Sequence, residues 1–302
     1  MSAPVRRLAL RPPPGTEAVP DFDGGWLRPD GSRDAYLRYA GDGRAVNWSV
    51  ELEELHAENS RDHYIDAWTR EAILERRGPL PAGATIADLG CSTGYLLEDL
   101  RSAQPDAQLV GVDLVESGLR TAHHSVPDAS LLQADVCALP LADSSVDAVV
   151  SANLLEHVSA DVSALVELHR VLRPGARAVL VVPVGPGVYD YYDRFLGHER
   201  RYARGELTVK ARRAGFEILE DIHLGSILFP AFWVVKKRNR RCYGHLQGAA
   251  LASRVAADIA ATRDSRVGRL ACEIERLMLR AGIRLPFGIR GLTVVRRPEV
   301  EE

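Results

Sequence analysis

Lysine is nearly absent from this 302-residue chain, standing only at positions 210, 236 and 237, so almost all of the 38 basic residues are arginine. With the heavy alanine usage this reads as the coding bias of a GC-rich genome and carries nothing about mechanism. Cysteine is scarce too. Cys91, Cys137, Cys242 and Cys272 are scattered with no C-x-x-C pair, which argues against a zinc cluster or a disulfide framework and fits a reducing, cytoplasmic setting. No stretch approaches 18 apolar residues, which excludes a spanning helix; the longest, Leu224 to Val235, is interrupted by Pro230. Arg6 and Arg7 are not followed by the apolar run of a secretory signal, and Pro12, Pro13 and Pro14 suggest an extended or disordered tail. Neither sign of charge dominates. With 38 basic against 41 acidic residues the net charge is −3, a field with no pull on phosphate backbones, so a dedicated nucleic-acid binder is not expected. What is present, 46% hydrophobic and 26% charged residues, suits one large globular domain with decorations.

Residues 47–77 are rich in Glu and Arg and lack Pro and Gly, with Leu52, Leu55, Tyr64, Ile65, Trp68, Ile73 and Leu74 at three- and four-residue spacings, which predicts two helices. Gly78-Pro79-Leu80-Pro81 stops that pattern. Strands are then expected at Thr85–Leu89, Leu109–Val112, Leu131–Gln133, Val146–Ser151 and Ala178–Val182, with helices starting near Tyr95, Ser117 and Asp161, the rhythm of βαβ units around a parallel sheet. Phe216–Asp221 offers a sixth strand and Gly291–Arg296 a last one, with a largely helical stretch between. The expected division is an extension over 1–46, partly disordered, a helical lid over 47–78, a core over 79–222, a mostly helical insertion over 223–286, and the final strand and tail over 287–302.

The first core strand ends in Asp88-Leu89-Gly90-Cys91-Ser92-Thr93-Gly94-Tyr95, a turn of small residues that lets backbone approach a ligand and opens a helix whose N-terminal N–H groups are unpaired. Nineteen residues beyond Gly94, Asp113 closes the second strand where a carboxylate can accept hydrogen bonds from ribose hydroxyls. Asp135 and Val136 end the third, beside an adenine edge if the ligand is a nucleoside. Two ligand classes fit such strand ends: dinucleotides and S-adenosylmethionine. The dinucleotide pattern of an NAD(P)-binding oxidoreductase wants a third glycine and usually opens the chain; here the glycines are Gly90 and Gly94, after about eighty residues.

At these residues the sequence resembles the class I S-adenosylmethionine-dependent methyltransferases, of a bacterial small-molecule type. Asp88 to Gly94 is similar to the family's acidic-x-Gly-x-Gly-x-Gly motif with Ser92 at the middle glycine, and Val171-Leu172-Arg173-Pro174-Gly175-Ala176 to its Leu-x-Pro-Gly-Gly turn with Ala176 at the last. The resemblance covers about 80–222 and the final strand. It implies a Rossmann-like, doubly wound, seven-stranded, mostly parallel α/β sheet whose last strand runs antiparallel. It also implies a donor site at Asp88, Gly90, Cys91, Ser92, Gly94, Tyr95, Asp113, Leu114, Asp135, Val136 and Asn153. A protein that binds S-adenosylmethionine on this fold without transferring methyl groups is the other reading the motifs allow.

The fourth strand runs into Asn153-Leu154-Leu155-Glu156-His157, which in the resembling family lies near the donor's methyl end, so His157 is a candidate base or orienting group; the plainer role is support of the next helix. Some O-methyltransferases carry Glu-x-x-Glu-His here and bind a divalent cation. Asn153 replaces their first glutamate, a weaker ligand for a hard cation, so no metal is expected. After strand five, Gly197-His198-Glu199-Arg200-Arg201-Tyr202 resembles a Gly-His-x-Arg-x-Tyr segment of bacterial methyltransferases of natural-product metabolism. His198 is the first candidate on the acceptor side, with Tyr192, Arg201 and Tyr202 beside it; the plainer reading pairs the arginines with surface carboxylates. The lid implied by the resemblance would bring Trp48, His63, Tyr64 and Trp68 to the acceptor wall and Arg70 to the donor's carboxylate. Finally, apolar 224–235 followed by five cations in 236–241 suits either a peripheral contact with an anionic membrane or lipid-linked substrate, or a pocket cover and homodimer contact with the basic run solvated.

Overall fold

The computed structural model describes residues 8–40, 61–263 and 265–299; the N-terminal part of the expected helical lid, with Trp48, lies outside them. Three two-residue strands open the described chain, β1 (Trp26–Leu27), β2 (Arg33–Asp34) and β3 (Leu37–Arg38). Helix α1 (Tyr64–Arg76) follows, then β4 (Thr85–Leu89), α2 (Tyr95–Ala103), β5 (Gln108–Asp113), α3 (Glu116–Ser125), β6 (Ser130–Gln133), β7 (Val146–Ala152), α4 (Asp161–Val171) and β8 (Leu172–Pro183). The chain continues through α5 (Tyr191–Phe195), α6 (Glu206–Arg213), β9 (Glu217–Leu224), the helices α7 (Phe229–Tyr243), α8 (Gly248–Arg263) and α9 (Arg266–Arg280), and β10 (Arg290–Arg296).

The β-branched and leucine-rich runs become the centre of the sheet because both of their faces are covered. Every residue of β4 is buried, and β7 and the second half of β8 nearly so. Helices cover the sheet through faces such as Leu96, Leu97 and Leu100 of α2, each such side chain stabilising the fold by about 1.5–3 kcal/mol. The strand order is β3-β6-β5-β4-β7-β8-β10-β9, parallel from β3 to β8, with β10 antiparallel to both its neighbours. All seven expected strands are present. An eighth, β3, extends the edge beside β6. The Arg173–Ala176 turn is carried as an irregularity within β8, where the register against β7 shifts between Val146 and Ala148.

The extension departs from the extended or disordered tail suggested by its prolines. Over 8–40 it packs on the sheet: Leu10 bridges Leu141, and the Trp26 indole N–H donates to the Leu131 carbonyl at 2.9 Å from a buried position. Two-residue strands have no periodicity to betray them. In the insertion the basic run is not wholly solvated. Lys237 lies over the exposed Trp233 ring, but Lys236 is buried with Nζ 2.7 Å from Asp190 Oδ1. Among the described residues no helix is long and apolar enough to cross a membrane.

Candidate active site

The chain reverses direction across the sheet at β4, which lies between β5 and β7, and the crevice at the carboxyl ends of these strands is where such sheets bind ligands. A continuous cavity of about 1100 Å³ opens there. One end is walled by Asp88, Gly90, Cys91, Ser92 and Tyr95 after β4, by Asp113 and Leu114 after β5, by Asp135 and Val136 after β6, and by Asn153 after β7. The other end is walled by His157, Tyr192, His198 and Arg201, with His63 and Tyr64 from the start of α1.

At the first end the backbone is bent to serve the carboxylates. Ser92 has φ 45° and Asn153 φ 54°, in the left-handed region that side chains other than glycine rarely adopt. The bend turns the Ser92 N–H onto Asp113 Oδ2 at 2.8 Å, while Asp113 Oδ1 accepts from the Val115 N–H at 2.9 Å. Burial raises the Asp113 carboxyl, and these N–H groups oppose the rise. Asp88 is buried beside it, and its Oδ2 accepts no hydrogen bond among the described residues; burial, then the nearby Asp113 charge, pushes it up to about 8. Gly90 has φ 77°, and a Cβ there would stand 3.0 Å from Leu154. Gly94 does not face the cavity: a Cβ would meet Ala122 at 2.9 Å, so its place is to let α2 pack on α3.

The chain has matches among known proteins that cover this end. Residues 87–180 match the family model described as a methyltransferase domain. A ubiquinone/menaquinone biosynthesis C-methyltransferase of Syntrophotalea carbinolica is 34% identical over 178 residues, covering 49% of this chain and 74% of that protein. The chain belongs to the S-adenosylmethionine-dependent methyltransferase family. An uncharacterised methyltransferase of Mycobacterium ulcerans is 35% identical over 158 residues, 52% of this chain and 60% of that protein, so the chain spans only about six-tenths of this relative. In structure it is similar to a phosphoethanolamine N-methyltransferase of Haemonchus contortus in complex with S-adenosylmethionine (TM-score 0.53, 17% identity, 76% of this chain and 52% of that one), a likeness of fold.

The residues present fit S-adenosylmethionine as the methyltransferase's cofactor. The orphaned Asp88 oxygen suits a ligand ammonium, the Asp113 carboxylate has further lone pairs for ribose hydroxyls, and Asp135, whose Oδ1 takes the Cys137 N–H at 2.8 Å, lines the same end and would suit the adenine. Arg70 lines this end, with Nε on Asp99 at 2.7 Å.

The other end of the cavity holds a buried ionic network that the sequence did not announce. Asp190 and Asp193 form a capping box at the start of α5. Asp193 Oδ1 receives His198 Nδ1 at 2.9 Å and Arg201 Nε at 2.7 Å, and Lys236 Nζ sits 3.6 Å from Asp193 Oδ2. Burial alone would raise the Asp193 carboxyl; His198, Arg201 and Lys236 outweigh it and hold it well below the ordinary range. Burial pulls the Lys236 ammonium down, against the pull of Asp193. Arg201 is thus buried, while Arg200 pairs at 3.0 Å with Asp161 and at 2.6 Å with Glu199.

Two expected wall residues lie elsewhere. Trp68 is buried in the core, away from the cavity, because its side of α1 faces the sheet. Tyr202 is 0% exposed, with its hydroxyl on Asp161 Oδ2 at 2.7 Å, so it braces α4 instead of touching an acceptor. Lys236, Asn239, Asp258, Ile259 and Thr262, from α7 and α8, line the cavity without having been expected to. No local signal marked them, since Trp233, Val234 and Val235 just before Lys236 are exposed.

Proposed function

We propose that the protein transfers the methyl group of S-adenosylmethionine to a small-molecule acceptor, within bacterial secondary or cell-envelope metabolism. The observation that carries this is the single cavity that joins the two ends. Drug-sized ligands occupy roughly 300–1,000 Å³, so about 1100 Å³ accommodates the donor and a compact acceptor side by side. Secondary or envelope metabolism is suggested by the resemblance of Gly197 to Tyr202, which makes it the finer part of the proposal.

The donor's sulfonium is already an activated electrophile, so the protein's task is to hold the acceptor in line with the methyl carbon and keep water out. Asp88, Asp113 and Asp135 fix the donor. Helix α1 and the α7–α8 pair wall the acceptor end, supplying Tyr64, Phe232 and Ile259 with Lys236 and Asn239 among them. His157 and His198 are the groups that face the acceptor's nucleophile, to take its proton or to orient it.

The test is incubation of the full chain with S-adenosylmethionine and panels of hydroxylated, amino and carboxylated metabolites, read by mass spectrometry. A product heavier by one CH₂, formed together with S-adenosylhomocysteine and lost in His198→Ala, supports the reading. Binding of the donor with no turnover across the panels, and conversion of an acceptor without methyl gain, would favour the non-methylating reading.

A further inference from the structure

Glu156 lies on the short helical turn Leu155–His157 that follows β7. It is 0% exposed, and neither of its carboxylate oxygens accepts a hydrogen bond among the described residues. A carboxylate buried in this way is costly unless a cation answers it. The side chains gathered around it are two histidines. His198 Nε2 stands 3.9 Å from Glu156 Oε1, and the His157 and His198 rings meet edge to face with centroids 4.8 Å apart. One ligand atom each from Glu156, His157 and His198 falls within 4.8 Å of the other two.

His198 is held for this position from behind. Asp193 Oδ1 takes both His198 Nδ1 and the Arg201 guanidinium, which fixes the ring so that Nε2 is the nitrogen on the Glu156 side. A carboxylate that fixes one imidazole nitrogen so that the other can coordinate is the usual support of a metal-binding histidine. The Asp190–Asp193 capping box in turn anchors Asp193.

We propose that Glu156, His157 and His198 bind a divalent first-row transition cation at the acceptor end of the cavity. Two imidazoles and one carboxylate suit zinc, iron, cobalt or manganese better than magnesium or calcium, which favour oxygen ligands throughout. Metal–ligand bonds of about 2.0–2.2 Å require the three side chains to close on the ion by about an ångström. The expectation of no metal rested on Asn153 standing where a first glutamate would; the third protein ligand comes instead from His198, distant in sequence and placed by Asp193. Because His157 and His198 line the cavity, the remaining coordination positions face an acceptor and would take a hydroxyl or carboxylate oxygen. Only that last step rests on the methyl-transfer reading; cation binding does not.

The full chain, stripped with chelator, is dialysed against Co²⁺ and, separately, Zn²⁺. Metal content is measured by mass spectrometry, Co²⁺ ligation by visible absorption, and thermal melting with and without metal. Native protein is expected to retain one equivalent, and Glu156→Gln, His157→Gln and His198→Gln each to bind at least tenfold more weakly. Glu156→Gln, which keeps the side chain's shape and removes its charge, should lose the rise in melting temperature that metal gives the native chain. If that variant does not fold, the two histidine variants carry the comparison. Asp113→Ala should bind the cation normally while losing S-adenosylmethionine, so loss of one site is distinguishable from loss of the other. No retained metal in the native chain, or retention unchanged in the three ligand variants, would overturn the proposal.

Discussion

Ser92 gives its backbone N–H to Asp113 Oδ2 at 2.8 Å, and it does so from a left-handed conformation. The resembling family has glycine at this position, which suits a turn that must aim an N–H at the Asp113 carboxylate. Ser92→Gly relieves backbone strain of about 1 kcal/mol but adds freedom to the unfolded chain. Its melting temperature and affinity for S-adenosylmethionine are therefore expected to stay close to native. Ser92→Val, β-branched in the same conformation, is expected to lower both, by about 1–3 kcal/mol in stability. Equal behaviour of the two variants in thermal melts and calorimetry would contradict this role for the turn.

Asp88 makes the ligand-free protein sensitive to alkali. Its folded value, pushed up to about 8, lies above the ordinary 3.8, so the folded state binds the proton more tightly than the unfolded state does. The stability this contributes is present in full below about pH 4 and is lost as pH rises through about 8. Melting temperature measured without ligand should therefore fall from about pH 5 to about pH 9 more steeply in native protein than in Asp88→Asn. Parallel curves would show that Asp88 titrates normally.

Tyr202 illustrates what the sequence could and could not tell. Its aromatic, histidine and arginine neighbours drew the eye to this segment, and His198 and Arg201 do line the cavity. Which tyrosine of the segment faces inward depends on the turn after α5, and Tyr202 ends up on Asp161. Tyr202→Phe is expected to cost about 1–3 kcal/mol by leaving a buried carboxylate oxygen with one donor fewer, with donor affinity unchanged. A change in donor affinity with native stability would restore it to the site.

The strands were legible because runs such as Thr85–Leu89 and Val146–Ala152 are largely apolar and buried. The carboxylate-lined end of the cavity was legible because Asp88, Asp113 and Asp135 each sit at a strand end, where local sequence fixes position. The opposite end was not. Lys236 meets Asp190 from 46 residues away, and α8 contributes Asp258 by packing on α5, relations that tertiary contact alone creates. The edge strand β3 escaped for a related reason, since two residues carry no pattern and their pairing with Leu132 and Gln133 of β6 is set by tertiary contact.

Lys236 neutralises the buried Asp190 and Asp193. Lys236→Met should cost about 3–5 kcal/mol by leaving the buried Asp190 without its cation, while Asp193 keeps Arg201. Adding Asp190→Asn should recover part of that loss, a coupling that chemical denaturation of the two single variants and the double variant would measure. Additive losses would place the two groups out of contact.

The central claim, that the strand ends of β4 to β6 form a donor site for S-adenosylmethionine, is tested most directly by calorimetric titration. S-adenosylmethionine, S-adenosylhomocysteine and NADH are titrated into the native chain and into Asp113→Ala. The account predicts that the first two bind the native chain, that Asp113→Ala weakens both at least tenfold, and that NADH does not bind. Binding of NADH alone, or of none of the three to folded native protein, would contradict it.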